Sequence, residues 1–478
     1  MQRTLDHKPR GFRGLVQRTR TIFVLVLVTG QQWAVADGID LVGTEARAIG
    51  RAGADVVSGD GAGALYQNPA GIARRSTTRA QVGLSLNDRS ASYQASFAAT
   101  SPQVESRAGA ELTGWAGVQF GIGRLTLGVA YLAPTFLSTA YSLPPDYNTV
   151  LADESVAHPQ RYASVSFKLR RQGIGVAAAA RVLPWLAVGG AALAFNVSLA
   201  EERMLWAGSS HSPADPTGLD SRYDMLLSVS GEDRFVPAGS LGILVAPEEV
   251  PLELAATVFV SADAVFTGRP ELRNSRWTVA ERPGIAGVVD SRASAKAYLG
   301  QPAIGTVGAR FLARRWALEL EGSLARIARR VPQWTVDGVE IVPADRASEP
   351  RRLEHIPPCT MLRNTYGARG AVEVDLVPGF VVLTAGYSFD RAFTPADWLG
   401  PALPSLDAHT VAVGVEMKTE GVAVSLSVAR TEHIAAKTPL GSGEIVVLSP
   451  YGEEGIRAAS GHYDGAVTQI AVGVEMEM

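Results

Sequence analysis

Cysteine is almost absent from the sequence, which contains a single one, Cys359. No disulfide can form within the chain, and no cysteine lies near the amino terminus to carry a lipid. His355 lies four residues earlier and would be a possible base for a thiol nucleophile. However, two prolines separate the two residues and no family-specific signature surrounds them, so an ordinary loop cysteine is the better interpretation.

Long apolar runs are also absent. The run Ile22–Val28 is far shorter than the roughly 20 residues that a membrane-spanning helix needs, and no later segment comes close to that length. Arginines precede this run, and the small-residue site Ala34–Ala36 follows it. This is the pattern of a secretory signal peptide and not of an anchor. We therefore predict that residues 1–36 are removed and that the mature chain begins at Asp37.

Charge of one sign and the common catalytic motifs are missing as well. The net charge is -3 with both signs interspersed, which gives no indication of nucleic-acid binding. We find no glycine-rich phosphate loop, zinc-ligand spacing or serine-hydrolase elbow. The sequence therefore predicts no catalytic residues, no metal and no cofactor. What it does contain is 49 glycines spread along the chain, which fits many strands joined by tight turns.

Alternation of apolar and small or polar residues dominates the body of the chain. Phe380–Asp390 alternates in this way, and Thr410–Met417 and Val422–Ala429 do so on either side of a tight turn, which predicts a hairpin. Ile470–Met478 alternates up to the last residue, which is a methionine and not the aromatic residue common in outer-membrane barrels. Several segments approach the 9 to 11 residues or so that a membrane strand needs.

The connections differ in length, from the turn at Lys418 to the polar stretches Asn274–Gly300 and Arg329–Arg363, which we interpret as long loops. Short turns at one end and long loops at the other are typical of bacterial outer-membrane barrels. Strands in lipid must also close into a barrel to satisfy their backbone. We therefore predict an all-β transmembrane barrel in the outer membrane of a Gram-negative cell, in contact with outer-membrane lipid and inserted by the barrel-assembly machinery.

Paired carboxylates lie on the predicted inward faces of two strands, Glu319 with Glu321 and Glu373 with Asp375. Such pairs suit general acid–base chemistry. Polar and charged residues are, however, expected on the lumen side of any membrane barrel. The lumen interpretation is preferred, and we do not predict an enzyme.

A segment rich in alanine and glycine, Gly43–Arg75, precedes the first strand and does not alternate. Asp60 is a candidate cap for a short helix, and Asn68 for a second helix with Pro69 at its first position. Small residues in this segment would let its backbone lie close to a barrel wall. We therefore expect a compact plug, although an Ala/Gly-rich leader to a soluble domain is the alternative.

This segment resembles the N-terminal hatch of the FadL/TodX family of outer-membrane transporters for hydrophobic compounds. The resemblance rests on Asn68-Pro69-Ala70 and on the preceding Asp60 and Tyr66, and it extends more weakly to Arg363–Pro395 and Tyr463. It implies about 14 strands, with a hatch at residues 37–76 and a barrel at residues 77–478.

The resemblance also implies passive uptake of long-chain fatty acids or another hydrophobic small molecule, by rearrangement of the hatch or by a lateral opening. Asn68, Pro69 and Ala70 would then form the gate. Our candidates for ligand contact are Leu65, Tyr66 and Ile72, although these side chains suit a packing role against the wall at least as well. A surface-interaction barrel without transport, or a general porin, would keep the same strands.

Overall fold

The computed structural model describes residues 41–96, 103–141, 159–207, 224–274, 286–327, 333–342, 350–356, 361–439, 445 and 458–478. The expected signal peptide and Cys359 lie outside these ranges. No helix within them is long and apolar enough to cross a membrane.

Strands make up most of the described structure. In chain order they are β1 (Arg79–Ala95), β2 (Gln103–Glu105), β3 (Glu111–Ile122), β4 (Leu125–Ala140), β5 (Ser166–Leu183), β6 (Leu186–Trp206), β7 (Asp224–Val245), β8 (Leu252–Ser261), β9 (Ala264–Asn274), β10 (Ala286–Leu299), β11 (Pro302–Leu312), β12 (Trp316–Ile327), β13 (Trp334–Val342), β14 (Arg351–Arg352), β15 (His355–Ile356), β16 (Thr365–Val377), β17 (Val381–Asp390), β18 (Ala408–Thr419), β19 (Val422–His433), β20 (Ala436–Thr438) and β21 (Gly461–Glu477). The helical elements are α1 (Ala46–Gly50), α2 (Ala64–Gln67) and the 3-10 helices Pro69–Arg74, Pro159–Tyr162 and Ala396–Trp398.

Fourteen of these strands form a closed antiparallel barrel, as the sequence predicts. Their order around the wall is β1, β3, β4, β5, β6, β7, β8, β11, β12, β16, β17, β18, β19 and β21. The seam pairs β1 with β21 from Arg79 opposite Glu477 to Ala95 opposite Gly461. Closure leaves no free sheet edge along this seam.

The predicted hairpin and carboxyl-terminal strand are confirmed. β18 and β19 pair from Ala408 opposite His433 to Thr419 opposite Val422. Along β18, Val411 and Val413 are exposed on the outside, whereas Ala412 is buried inside. Large apolar residues facing outwards with small or polar residues facing inwards are the arrangement of a lipid-embedded barrel.

The interpretation of Asn274–Gly300 and Arg329–Arg363 as loops is wrong over much of their length. β10 and β13 lie within these stretches and pair with each other, and β10 also pairs with β9. The cause is a polar outward face: Arg292 and Lys296 of β10 are exposed while Ala295 is buried. A search for lipid-facing apolar residues misses such strands, because they extend the wall beyond the apolar belt.

The two ends of the barrel differ. At one end, two residues connect β18 to β19 and two connect β3 to β4. At this same end β1 begins and β21 ends. The connections at the opposite end are longer, for example between β6 and β7. In bacterial outer-membrane barrels the short turns lie on the periplasmic side.

The lipid-facing belt can be tested on β7, where Leu241 and Phe235 share the outward face and are 71% and 68% exposed. Leu241 lies opposite Val258 in the apolar belt, whereas Phe235 adjoins the exposed Arg234–Glu232 ion pair. We expect Leu241→Arg to lower the free energy of unfolding in lipid vesicles by about 2–4 kcal/mol, and Phe235→Arg by about 0–1 kcal/mol. Equal losses in urea titrations of the two variants would contradict this depth assignment.

Candidate functional site

Residues 41–78, which we call the inner segment, run inside the barrel. Helix α1 packs against β18, β19 and β21, and the 3-10 helix Pro69–Arg74 packs against β4, β5, β6 and β7. Most side chains of this segment are buried. The inner segment therefore fills the space between opposite sides of the wall.

The inner segment lies directly on the wall because glycines of the wall strands leave room for its backbone. A Cβ atom at Gly189 of β6 would lie 2.5 Å from the Ala70 nitrogen. At Gly386 of β17 it would lie 2.2 Å from the carbonyl carbon of Arg51. These distances exclude any side chain at either position without movement of the backbone. The close approach expected for a small-residue segment is thus present.

Asn68 caps the 3-10 helix, as predicted, with Pro69 at the first position. Its Oδ1 atom accepts a hydrogen bond from the Ala70 N–H at 3.1 Å, and its Nδ2 atom donates to the Val56 carbonyl at 2.7 Å. The side chain is fully buried. Asn68 therefore joins two parts of the inner segment, and Pro69 and Ala70 rest on the wall beside it.

The prediction that Asp60 caps a helix is wrong. Helix α2 begins at Ala64, and it has no side-chain cap from its N-cap residue, Gly63. The Gly63 N–H donates instead to the Glu45 carboxylate at 3.1 Å. Sequence proximity favoured Asp60 for this role, but the fold brings Glu45 closer.

Asp60 is instead the centre of a buried cluster of arginines. Its carboxylate lies 2.7 Å from Arg47, 3.0 Å from Arg75 and 3.3 Å from Arg79. Burial alone would raise the pKa of Asp60, but these guanidinium groups hold the pKa well below its usual value. The Asp60 carboxylate is therefore ionised and offsets buried positive charge.

Carboxylates of the wall also bind the inner segment. Glu319 of β12 accepts hydrogen bonds from the N–H groups of Val57 and Ser58 at 2.8 and 3.1 Å, and Glu321 accepts one from the Val56 N–H. Both residues are on the lumen side, as their strand parity predicts. Their partners identify them as residues that hold the inner segment.

Glu373 of β16 has the same relation to the inner segment. It forms ion pairs with Arg51 of the inner segment and with Arg310 of β11. These side chains, together with Arg47 and Glu416, line a cavity of about 410 Å³ at the short-turn end. The cavity at this end of the barrel is therefore lined by several charged side chains.

The three candidate ligand-contact residues have different surroundings. Leu65 and Ile72 both pack on β4 at Gly128. A Cβ atom placed on Gly128 would lie 3.3 Å from the Leu65 side chain and 3.5 Å from the Ile72 side chain. Tyr66 lies against aromatic rings of the wall: its ring centroid is 4.6 Å from that of Phe259 and 6.5 Å from that of Phe195. Leu65 and Ile72 thus fit the packing role, and Tyr66 has the surroundings of a lumen contact.

Sequence reasoning missed the apolar lumen beyond Tyr66. On β6 the buried inward residues are Phe195, Val197 and Leu199, while the outward residues between them, Asn196 and Ser198, are polar. β7 contributes apolar inward residues to the same region. The signal in the sequence is an inversion of the alternation, with the apolar residues on the inward face and the polar residues on the outward face.

The wall is incomplete between β3 and β4. Their pairing extends from Ile122 opposite Leu125 to Ala116 opposite Tyr131. Beyond that point the next bridge between these parts of the described chain is at Ser106 and Tyr141. The Arg107 N–H also donates to the Ala140 carbonyl. We call the unpaired stretch, residues 108–115 facing residues 132–139, the wall gap.

The inner face of the wall gap is occupied by the start of the inner segment. The pairing of β4 with β5 shifts between Leu132 and Thr135, at Pro134. The Leu41 N–H donates to the Pro134 carbonyl at 2.8 Å. Because the irregular strand turns a carbonyl towards the lumen, Leu41 binds where the ladder is interrupted.

Neutralising Asp60 should loosen the inner segment. We expect Asp60→Asn to take one anionic partner from Arg47, Arg75 and Arg79, which keep Glu416 and Glu475 as partners. The substitution should cost up to about 3–5 kcal/mol and increase open events in planar-bilayer conductance records. Wild type should keep its low conductance at mildly acidic pH, because the lowered pKa of Asp60 preserves its contribution until the pH falls below the usual value of about 4.

The matched control is Glu271→Gln, which breaks an exposed ion pair with Arg273 on β9. Exposed pairs contribute about 0–1 kcal/mol, so the conductance should not change. Equal conductance of Asp60→Asn and this control would show that the buried cluster does not restrain the inner segment.

Comparisons with known proteins agree with this architecture. No protein-family model matches the chain, and a comparison with curated proteins finds no match either. Among solved structures, a Pseudomonas aeruginosa FadL homologue is 14% identical with a TM-score of 0.69, covering 92% of this chain and 100% of its own. The P. putida toluene transporter TodX (13%, TM-score 0.63) and the Ralstonia pickettii toluene transporter TbuX (12%, TM-score 0.58) each cover 92% of this chain and 99% of their own. The chain therefore has the FadL-type fold, which confirms the predicted resemblance at the level of architecture.

Proposed function

We propose that the protein carries hydrophobic small molecules passively through the outer membrane, from an apolar lumen region to the bilayer by way of the wall gap. The main support for this proposal is the contrast between the interior beyond Tyr66 and the short-turn end of the barrel. Beyond Tyr66 the interior is filled by buried apolar side chains such as Phe195 and Val197. Towards the short-turn end the path is filled by the charged cluster around Asp60. An apolar molecule would have to desolvate charge to pass that way.

The inner segment would act as the hatch in this scheme, with residues 37–76 as its expected extent. Asn68, Pro69 and Ala70 form the proposed gate, supported by the bonds of Asn68 to Val56 and Ala70. Because Leu41 is bonded at the wall gap, a local change near the start of the hatch would open the gap without removing the whole plug.

Long-chain fatty acids are the ligand class that we propose. Arg171 of β5 is buried and faces inwards, where it donates to the Tyr66 hydroxyl at 2.7 Å and to Gln301 at 3.0 Å. Its guanidinium group also lies 5.0 Å from the ring centroid of Phe195. A guanidinium group within an aromatic lining suits a molecule with an apolar body and a carboxylate. The toluene transporters among the structural neighbours make neutral aromatic compounds the comparison ligands.

Two other functions make different demands on the structure. A general porin needs a continuous aqueous path, whereas here the inner segment is bonded to the wall on several sides. A surface-interaction barrel would need no apolar lumen. The apolar inward faces of β6 and β7 therefore favour transport of a hydrophobic compound.

Uptake into vesicles tests this function. We expect wild-type protein in lipid vesicles to take up a labelled long-chain fatty acid faster than protein-free vesicles, without admitting a small sugar. Asn68→Ala removes both the helix cap and the bond to Val56, so it should change fatty-acid uptake severalfold. Entry of sugar into wild-type vesicles would indicate a porin, and uptake of neither compound would refute the proposal.

A reversible crosslink tests the exit route. In a Cys359→Ser background, Leu41→Cys with Pro134→Cys places thiols on two residues that are joined by a backbone hydrogen bond. We expect the oxidised protein to lose fatty-acid uptake and the reduced protein to recover it, because the crosslink holds the hatch over the wall gap. Full uptake by the oxidised form would exclude this route.

A further inference from the structure

Ion pairs cross the outer side of the wall gap. Glu111, at the start of β3, lies 2.9 Å from Lys168 and 3.4 Å from Arg170, both on β5. β4 lies between these two strands in the sheet, so the pairs reach over it. They do so along the stretch of β4 that is not paired with β3.

The carboxylate of Glu111 lies in the opening itself. Glu111 has the same strand parity as Trp115, which faces the lumen near Ala46. Lys168 and Arg170 have the opposite parity to the inward Arg171 and are exposed on the outside. An inward residue of one strand can meet outward residues of another only where the wall between them is interrupted.

An aromatic residue completes this arrangement. Phe136 lies opposite Arg170 in the β4–β5 ladder and therefore shares its outward face, yet it is only 5% exposed. The Lys168 ammonium and the Arg170 guanidinium lie 5.4 and 5.2 Å from its ring centroid. Such cation–π contacts hold the two cations over the ring. The apolar ring of Phe136 thus lies beneath the two cations that pair with Glu111.

We propose that Glu111, Lys168 and Arg170 form a latch at the mouth of the wall gap that selects for anionic amphiphiles. The proposal rests on lateral transport as the protein's function. A departing molecule with a carboxylate can replace Glu111 as the partner of Lys168 and Arg170, while its apolar chain passes over Phe136. A neutral hydrocarbon offers no such exchange, so the closed latch impedes it.

The exposure of the latch suits reversible opening. The side chains of Lys168, Arg170 and Glu111 are 45%, 39% and 22% exposed. Partly exposed ion pairs are weak because they are solvated in both states. Competition by another carboxylate at the same two cations is therefore enough to open the latch, and no large rearrangement of the barrel is required.

The test compares a labelled long-chain fatty acid, its methyl ester and toluene in vesicles. Glu111→Gln opens the latch but keeps both cations, so uptake of the ester and of toluene should rise severalfold. Lys168→Gln with Arg170→Gln also opens the latch but removes the carboxylate partners. In this double variant, uptake of the ester and of toluene should rise severalfold, as in Glu111→Gln. The ratio of acid uptake to ester uptake should fall severalfold below the ratio measured for Glu111→Gln.

The matched control is Arg430→Gln with Glu432→Gln, an outward ion pair on β19 away from the gap, which should leave all three rates unchanged. Heat-modifiable electrophoretic mobility shows that each variant is folded. Unchanged ester and toluene rates in both latch variants, or an equal acid-to-ester ratio in the two, would overturn the latch while transport stands. Failure of wild type to carry any of the probes would overturn the transport function itself.

Discussion

Compensation of buried charge is the interaction on which the rest of this structure depends. Apolar packing alone would not fix the orientation of a segment inside a barrel. Here carboxylates of the wall meet backbone amides and arginines of the inner segment, as Glu319 does at Val57 and Glu373 at Arg51. Within the inner segment, Asp60 offsets several guanidinium groups at once. Such partners are costly to remove one at a time, so they define one docked position.

The same polar network separates the barrel into two environments. The short-turn end is charged, whereas the inward face of β6 from Phe195 to Leu199 is apolar. The inner segment lies at the boundary, with Tyr66 on its apolar side. The lipid-facing belt is apolar as well, and Leu132 and Leu137 beside the wall gap belong to the same apolar cluster as Phe195. The inner segment thus divides the interior of the barrel into a charged part and an apolar part.

Sequence patterns predicted the regular parts of the fold and missed the parts that depend on distant partners. The alternation in Thr410–Ala429 and at the carboxyl terminus was sufficient to identify the hairpin and a closing strand. Asn68 was identified as a cap because a cap acts locally. Asp60 was assigned wrongly, since its arginine partners converge through the fold. The sequence predicts loops where β10 and β13 lie, because their outward residues are mostly polar. The wall gap depends on strand register, which single-strand patterns do not contain.

A lateral exit determines the phase into which a transported molecule is released, and therefore the end of its concentration gradient. In the proposed function, molecules that leave through the gap between β3 and β4 would enter the membrane's own hydrocarbon phase, where a fatty acid is far more soluble than in water. Net flow then stops when the chemical potential in the membrane equals that outside, however many barrels are present. Removal from the membrane, by an enzyme or a carrier that draws on lipid-dissolved substrate, would set the steady rate. Under the proposed function, the position of one unpaired stretch of strand would thus link net uptake to the removal of the molecule from the membrane.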